Sequence, residues 1–213
     1  DAGLSRGLGD VYKRQTLEGM QSKLATAAEK CVNNYGFFIG ATEDNVSDLQ
    51  DAVGTRENPI AIPGICGIKI FMGVSTGTLL VSDKTALEKI FTETAGLIAV
   101  HAEDENRMEE RRKLIEGRTD VAAHAYYRDD ITALLATKLS VELAHKTGHR
   151  LHILHLTSGI EADYLSDHCS LPSKANSNPI ITTEVLPQHL TFDETDVDAQ
   201  GVRLQMNPPI RYA

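Results

Sequence analysis

Short apolar runs alternate with longer amphipathic segments along most of this 213-residue chain. Five of the runs are too short for helices and are rich in β-branched or aromatic residues, which predicts buried strands at Phe37–Gly40, Ile65–Met72, Leu97–His101, Leu151–Leu156 and Ile180–Val185. Helices are predicted around them, at Leu17–Asn33, Asp44–Val53, Asp83–Thr94, Glu105–Glu116, Asp129–Lys146 and Ile160–His168. This order is typical of an α/β fold with a parallel sheet.

The two ends of this pattern set the domain boundaries. Asp1–Gln15 shares none of the chemistry of the rest of the chain, and its end resembles a translated adapter from sequencing libraries, so we predict a non-native leader there. A natural disordered leader is the alternative. Residues 16–213 are expected to form one domain. Ser170–Pro179 is rich in Ser, Asn and Pro, which predicts a loop before the last strand.

Composition excludes several classes of partner. A net charge of -9 without a cluster of basic residues argues against nucleic acid and against anionic membranes. No apolar run approaches the roughly 18 residues of a membrane span. Cys31, Cys66 and Cys169 are too few and too widely spaced for a disulfide framework, which favours a reducing cytoplasm.

Three predicted strands carry a residue that could bind a metal ion. His101 and His155 end or nearly end their apolar runs, and the carboxyl ends of parallel strands meet at one edge of a sheet. Two histidines at that edge are candidate zinc ligands. The alternative, more common for a single histidine, is a hydrogen-bonded residue at the rim.

Lys69 lies inside the apolar run GIKIFMG, where its amine would lose hydration. Burial favours the neutral amine, which can add CO2 to form a carbamate, an anionic oxygen ligand for metal ions. A lysine that extends to solvent or pairs with a carboxylate explains the sequence equally well. The residues alone leave these alternatives open.

The chain contains five informative segments, in this order: NNYGFFIGATEDN, GIKIFMGVSTG, VHAEDE, LHILHLTS and MNPPIR. In sequence and in order these segments resemble dihydroorotases of the cyclic amidohydrolase superfamily. The resemblance covers residues 16–211. The resemblance implies a TIM (β/α)8 barrel, of which strands three to seven are present. Because a complete barrel takes about 250 residues, we expect a partial barrel and an internal fragment.

The resemblance also implies a site with two zinc ions. Carboxylated Lys69 would bridge them, His101 and His155 would bind one, and Asn207 would contact the substrate. An H-x-H pair and an aspartate acting as general acid and base are expected outside this chain, so no catalytic residue is assigned within it and the fragment itself is expected to be inactive. A turn-forming Asn before Pro208 is the alternative for Asn207.

The implied reaction is the reversible cyclisation of N-carbamoyl-L-aspartate to dihydroorotate in pyrimidine biosynthesis, with a small molecule as the partner. Hydantoinases, dihydropyrimidinases and allantoinases share the lysine and histidine plan, and an inactive, structural dihydroorotase-like subunit is a further alternative. The sequence does not decide whether the chain forms a homo-oligomer. For Glu103, Asp104 and Glu105 it favours capping of the next helix over orienting His101.

Overall fold

The computed structural model of the chain describes residues 15–73, 79–169 and 180–211. The predicted leader Asp1–Gln15 lies outside these ranges except for Gln15, and the predicted loop Ser170–Pro179 lies outside them entirely. The assignments of the leader and of a single domain therefore stay predictions. Within the described ranges, no helix combines the length and apolar character required to cross a membrane.

Five strands form one sheet: β1 (Phe37–Gly40), β2 (Ile65–Phe71), β3 (Leu97–His101), β4 (Arg150–Leu156) and β5 (Ile181–Val185). All neighbours are parallel, and their order in the sheet follows their order in the chain. Sequential parallel strands joined by helices are the arrangement of a (β/α)8 barrel. The predicted fold class, a partial barrel, is confirmed, and each strand boundary agrees within one residue.

The described helices are α1 (Leu17–Lys30), α2 (Val46–Val53), α3 (Lys84–Glu93), α4 (Glu105–Arg112), α5 (Ala122–Tyr127), α6 (Asp130–Thr147), α7 (Gly159–His168), α8 (Pro187–Thr191) and α9 (Glu194–Gln200). Short 3-10 turns follow α4 and α9, at Lys113–Ile115 and Gly201–Leu204. All six predicted helices are present. The prediction missed α5, α8 and α9, because segments of five to seven residues are too short to display a helical period.

The hydrophobic core lies between the sheet and the helices. Alternate residues of the central strands point to this side and are 0–1% exposed: Ile68, Ile70, Ile98, Leu151 and Ile153. They form one continuous cluster with helix residues that include Leu49, Leu87, Ile90 and Phe91. Burial of each such side chain stabilises the fold by about 1.5–3 kcal/mol. The residues between them must therefore face the other side of the sheet.

Aspartates fix where several helices begin after the strands. The carboxylate of Asp83 accepts a hydrogen bond from the Ala86 amide at 2.8 Å, and Asp104 accepts one from the Arg107 amide at 2.8 Å. Asp129 starts α6 in the same way. A carboxylate at this position satisfies an amide that has no partner within the helix. These caps therefore fix the residues at which α3, α4 and α6 begin.

Candidate active site

The face of the sheet opposite the core carries the candidate ligands. Lys69 pairs with Ala99, and Ala99 pairs with His152, so these residues lie in one row across β2, β3 and β4. Two residues further along, Phe71 pairs with His101. Residues two apart on a strand share a face. Lys69, Phe71 and His101 therefore lie together near the carboxyl ends of β2 and β3.

The amine of Lys69 is buried next to Phe71. Its Nζ is inaccessible to solvent and has no hydrogen-bond partner in the described part of the chain, and it lies 4.4 Å from the centroid of the Phe71 ring. Burial lowers the pKa of Lys69 to about 7, although the Glu184 carboxylate opposes this shift. The amine is consequently about half uncharged at neutral pH. Within the described ranges, the Lys69 side chain therefore neither extends to solvent nor forms an ion pair.

His101 and His155 are in direct contact. Nδ1 of His101 lies 3.1 Å from Nε2 of His155, and the rings meet edge to face with centroids 4.8 Å apart. Burial lowers the pKa of His101, and burial together with the charges of His101 and Lys69 lowers that of His155 to about 3. Both imidazoles are therefore neutral at physiological pH, the form that binds metal ions.

The spacing of the two histidines fits a shared metal ion. Two nitrogens bound to one tetrahedral zinc at about 2.0–2.1 Å would lie about 3.4 Å apart, close to the observed 3.1 Å. In the described ranges, no group of three or more His, Cys, Asp or Glu side chains could hold a metal ion. Lys69, on the same face of the sheet, is the predicted third ligand, and its role stays a prediction.

The backbone at His155 is unusual and helps to aim its ring. His155 has φ of 38°, and the pairing of β4 with β5 shifts register between Ile153 and Leu156. Residues other than glycine in the left-handed region cost about 1–3 kcal/mol and are enriched at functional sites. On β5, a carboxylate oxygen of Glu184 accepts a hydrogen bond from the His155 amide at 3.3 Å. The irregular strand end thus directs His155 towards His101.

The capping prediction for the three acids after His101 is correct only in part. Asp104 caps α4 and Glu105 lies in its first turn. For Glu103 the prediction is wrong, because this side chain is fully buried and its Oε2 lies 2.7 Å from Nε2 of His101. Arg128 and Arg211 bind the same carboxylate. The available signal was the H-x-E spacing, which could place both side chains on one side of the chain.

Asn207 is the predicted residue that the described contacts do not join to the others. Its side chain is exposed and hydrogen-bonds to His124. The following bond, to Pro208, is a cis peptide. Arg211, at the end of the same segment, is buried against Glu103. The segment therefore reaches the site through Arg211, and a substrate contact by Asn207 stays a prediction.

The sequence has relatives that are much longer than itself. No protein-family model matches the chain. It is 26% identical to a dihydroorotase of Methanosarcina mazei over 90% of the chain and 41% of that protein. It is 30% identical to an allantoinase of Streptomyces avermitilis over 93% of the chain and 42% of that protein. The chain therefore spans about two-fifths of the length of the curated relatives it matches.

Solved structures give the same picture. An L-hydantoinase (dihydropyrimidinase) from Arthrobacter aurescens superposes with a TM-score of 0.78 over 93% of the chain and 42% of that protein, at 22% identity, a likeness of fold alone. A dihydropyrimidinase from Brevibacillus agri gives a TM-score of 0.69 at 26% identity, over 90% of the chain and 42% of that protein.

The fold and the comparisons agree on one class. The chain is similar to dihydroorotases, allantoinases and hydantoinases, and the predicted resemblance to the cyclic amidohydrolases is confirmed. Within that class its sequence relatives include dihydroorotases and allantoinases at similar levels of identity.

Proposed function

We propose that this chain supplies part of the active site of a zinc-dependent cyclic amidohydrolase. The observation that carries the proposal is the unpartnered Nζ of Lys69, on the sheet face that also presents the neutral pair His101 and His155. Lys69, once carboxylated, and the two histidines would hold one zinc ion. The carbamate would also contact a second ion, giving two per site in the whole protein.

The chemistry of Lys69 follows from its environment. The lone pair of its uncharged amine would attack the carbon of CO2, forming an N–C bond and releasing one proton. The product carries a negative charge on two oxygens, whereas the free amine has no hydrogen-bond partner among the residues that the structure describes. Metal ions bound there would polarise a substrate carbonyl and lower the pKa of water. The negative carbamate and the positive metal ions would thus stabilise each other in this site.

The other residues of this face have separate parts in the proposal. His101 and His155 stay neutral because of burial, so they bind a metal without first losing a proton. Phe71 covers the Lys69 amine on one side and lies 5.6 Å from the His101 ring, measured between centroids. Asn207 would bind the substrate ring, since an amide both donates and accepts hydrogen bonds.

For the reaction, we propose the reversible cyclisation of N-carbamoyl-L-aspartate to dihydroorotate. Similarity to dihydroorotases over 90% of the chain supports this choice. Hydrolysis of allantoin is the second candidate, because two allantoinases are 29% and 30% identical to the chain. The partner would be a small molecule. A cytoplasmic location is a prediction supported by the three free thiols.

The first experiment tests the modified lysine. The chain is incubated with zinc and 13C-labelled bicarbonate, and the carbamate carbon is observed by NMR in the wild type, in Lys69→Met and in Lys89→Met, a control at an exposed lysine of α3. We expect a carbamate signal in the wild type and the control and none in Lys69→Met. The same signal in all three proteins would place the carbamate elsewhere and refute the assignment.

The second experiment selects the substrate. The whole protein encoded at the locus is loaded with zinc and assayed with dihydroorotate, allantoin, hydantoin and dihydrouracil under identical conditions. We expect dihydroorotate to have the highest kcat/KM. Preferential hydrolysis of allantoin would favour the second candidate. A zinc-loaded protein that opens none of the four rings would favour the inactive structural subunit.

A further inference from the structure

The carboxylate of Glu103 is the best-satisfied buried charge of the candidate site. The residue is 0% exposed. One oxygen accepts hydrogen bonds from Nε2 of His101 at 2.7 Å and from Arg128, and the other accepts one from Nη2 of Arg211 at 2.9 Å. The side chains of both arginines are only 2% exposed. A buried carboxylate with three partners of this kind stays ionised and fixed in place.

The two arginines are themselves held from several directions. Arg211 donates from Nε to the Thr157 hydroxyl at 2.6 Å and from Nη1 to the Asp129 carbonyl at 3.1 Å. Arg128 donates from Nε to the Tyr127 hydroxyl at 2.9 Å. Because these donors are already engaged, neither guanidinium can turn away from Glu103 without leaving buried groups unsatisfied. The carboxylate is therefore held by a rigid frame.

The frame determines which nitrogen of His101 carries the proton. An ionised carboxylate only accepts hydrogen bonds, so Nε2 of His101 must be the donor. A ring that binds a metal through one nitrogen carries its proton on the other. The lone pair is then on Nδ1, the atom that lies 3.1 Å from His155. The nitrogen free to bind a metal is thus the one that faces the other candidate ligand.

We propose that Glu103 is the positioning residue of this site: held by Arg128 and Arg211, it fixes the ring and the tautomer of His101 so that Nδ1 is the ligand atom. A carboxylate that accepts the second N–H of a metal-binding histidine has this effect in other metal sites. The inference deepens the proposed function and rests on it as far as metal binding is concerned. The tautomer itself is a property of the metal-free chain.

Arg211 extends the same frame to the loop that follows the second histidine. It joins Glu103, which follows β3, to Thr157, which follows β4. The Thr157 hydroxyl in turn donates to Glu161 at 3.0 Å. The strand ends that carry His101 and His155 are therefore tied together by one side chain. The MNPPIR segment thus has a positioning role through Arg211, separate from any contact made by Asn207.

Glu103→Leu tests the proposal because it removes both acceptor oxygens and keeps a side chain of similar size. Arg128, whose Nη1 binds the same oxygen as Nε2 of His101, then remains beside that nitrogen as a donor, which favours a lone pair on Nε2. We expect the tautomer of His101 to switch from Nε2–H to Nδ1–H, measured by 15N NMR of the metal-free protein. With the lone pair on the wrong nitrogen, zinc affinity should fall by about 10–100-fold.

Glu161→Leu is the matched control. Glu161 is also buried and also accepts hydrogen bonds, from Thr137 and Ser158, but it does not contact His101. Its replacement should leave the Nε2–H tautomer intact. Circular dichroism and thermal melting would establish that each variant is folded. A purely structural role for Glu103 predicts lower stability with no change of tautomer.

The outcomes separate this inference from the proposed function. A folded Glu103→Leu protein that keeps the Nε2–H tautomer would overturn the positioning role. If that variant does not fold, the wild type decides alone, since an Nδ1–H tautomer there contradicts the proposal and Nε2–H supports it. If the tautomer switches in the variant but the wild-type protein binds no zinc, the role of Glu103 is upheld and the proposed function is refuted.

Discussion

Replacing Lys69 with methionine removes the amine but keeps an unbranched side chain of similar length. The wild-type amine is inaccessible and lacks a partner in the described ranges, so the folded chain pays for its desolvation without compensation. Methionine places apolar atoms against Phe71 instead. We expect Lys69→Met to stabilise the metal-free chain while abolishing the proposed carbamate.

The magnitude follows from the pKa of Lys69, which burial lowers from 10.5 to about 7. One pKa unit corresponds to about 1.4 kcal/mol, so the lowering corresponds to about 5 kcal/mol on an order-of-magnitude basis. At pH 7 the folded amine has lost about half of its protons, which leaves a cost of about 4 kcal/mol. A stabilisation of about 2–4 kcal/mol is therefore expected for Lys69→Met at pH 7, because packing of the new side chain is imperfect.

The pH dependence gives the sign of the effect. Between about pH 7 and pH 10.5 the unfolded chain holds the Lys69 proton and the folded chain does not, so the contribution of Lys69 to the unfolding free energy rises with pH. The cost of burying Lys69 is fully present below about pH 7, shrinks as the pH rises, and is absent above pH 10.5, where the amine is uncharged in both states. The advantage of Lys69→Met should accordingly shrink as the pH rises.

Urea unfolding at pH 7 and pH 9.5, in buffer free of CO2 and metal, measures both quantities. Lys89→Met, at an exposed lysine of α3, serves as the control and should change stability little at either pH. The reasoning would be refuted if Lys69→Met destabilised the chain at pH 7, or if its effect were the same at both pH values.

Three further predictions concern the scaffold, each measured by chemical unfolding. Phe91→Ala should cost about 3–5 kcal/mol because the ring is fully buried in the core; a smaller loss would mean that the neighbouring helices collapse into the space. Asp83→Ala should cost about 1 kcal/mol by removing the 2.8 Å hydrogen bond to the Ala86 amide, whereas Asp83→Asn should retain most of it. Gly67→Ala should be strongly destabilising, since its Cβ would lie 2.1 Å from the Leu97 carbonyl oxygen at a φ of 149°; near-neutral behaviour would contradict this strand spacing.

The strands and the candidate ligands were predictable because they depend on local patterns. An apolar run of strand length identifies β2 without knowledge of its place in the fold, and a lysine inside such a run is easy to recognise. The parallel order then brings Lys69 and His101 to neighbouring strands. Short helices such as α8 were not predictable, because their position depends on caps and tertiary contacts more than on periodicity.

The frame around Glu103 was not predictable from the sequence for a different reason. Its arginines lie 25 and 108 residues further along the chain, and nothing local distinguishes either from a surface arginine. Glu103 also stands next to two acids with ordinary places at the start of α4. Only the three-dimensional fold shows that one carboxylate of the three turns inwards, where an unpaired charge would be costly.

A comparison with His189 shows why the buried amine of Lys69 is informative. Nδ1 of His189 also lacks a hydrogen bond in the described ranges, but His189 is a half-buried imidazole whose other nitrogen contacts the Pro208 carbonyl at 3.4 Å. A neutral nitrogen without a partner costs about 1–3 kcal/mol, whereas the buried amine of Lys69 must also give up its charge. Glu103 shows that this fold can surround a charge with partners. That it supplies none to Lys69, in the part of the chain described, therefore favours a ligand from outside, and CO2 followed by zinc is the combination to test.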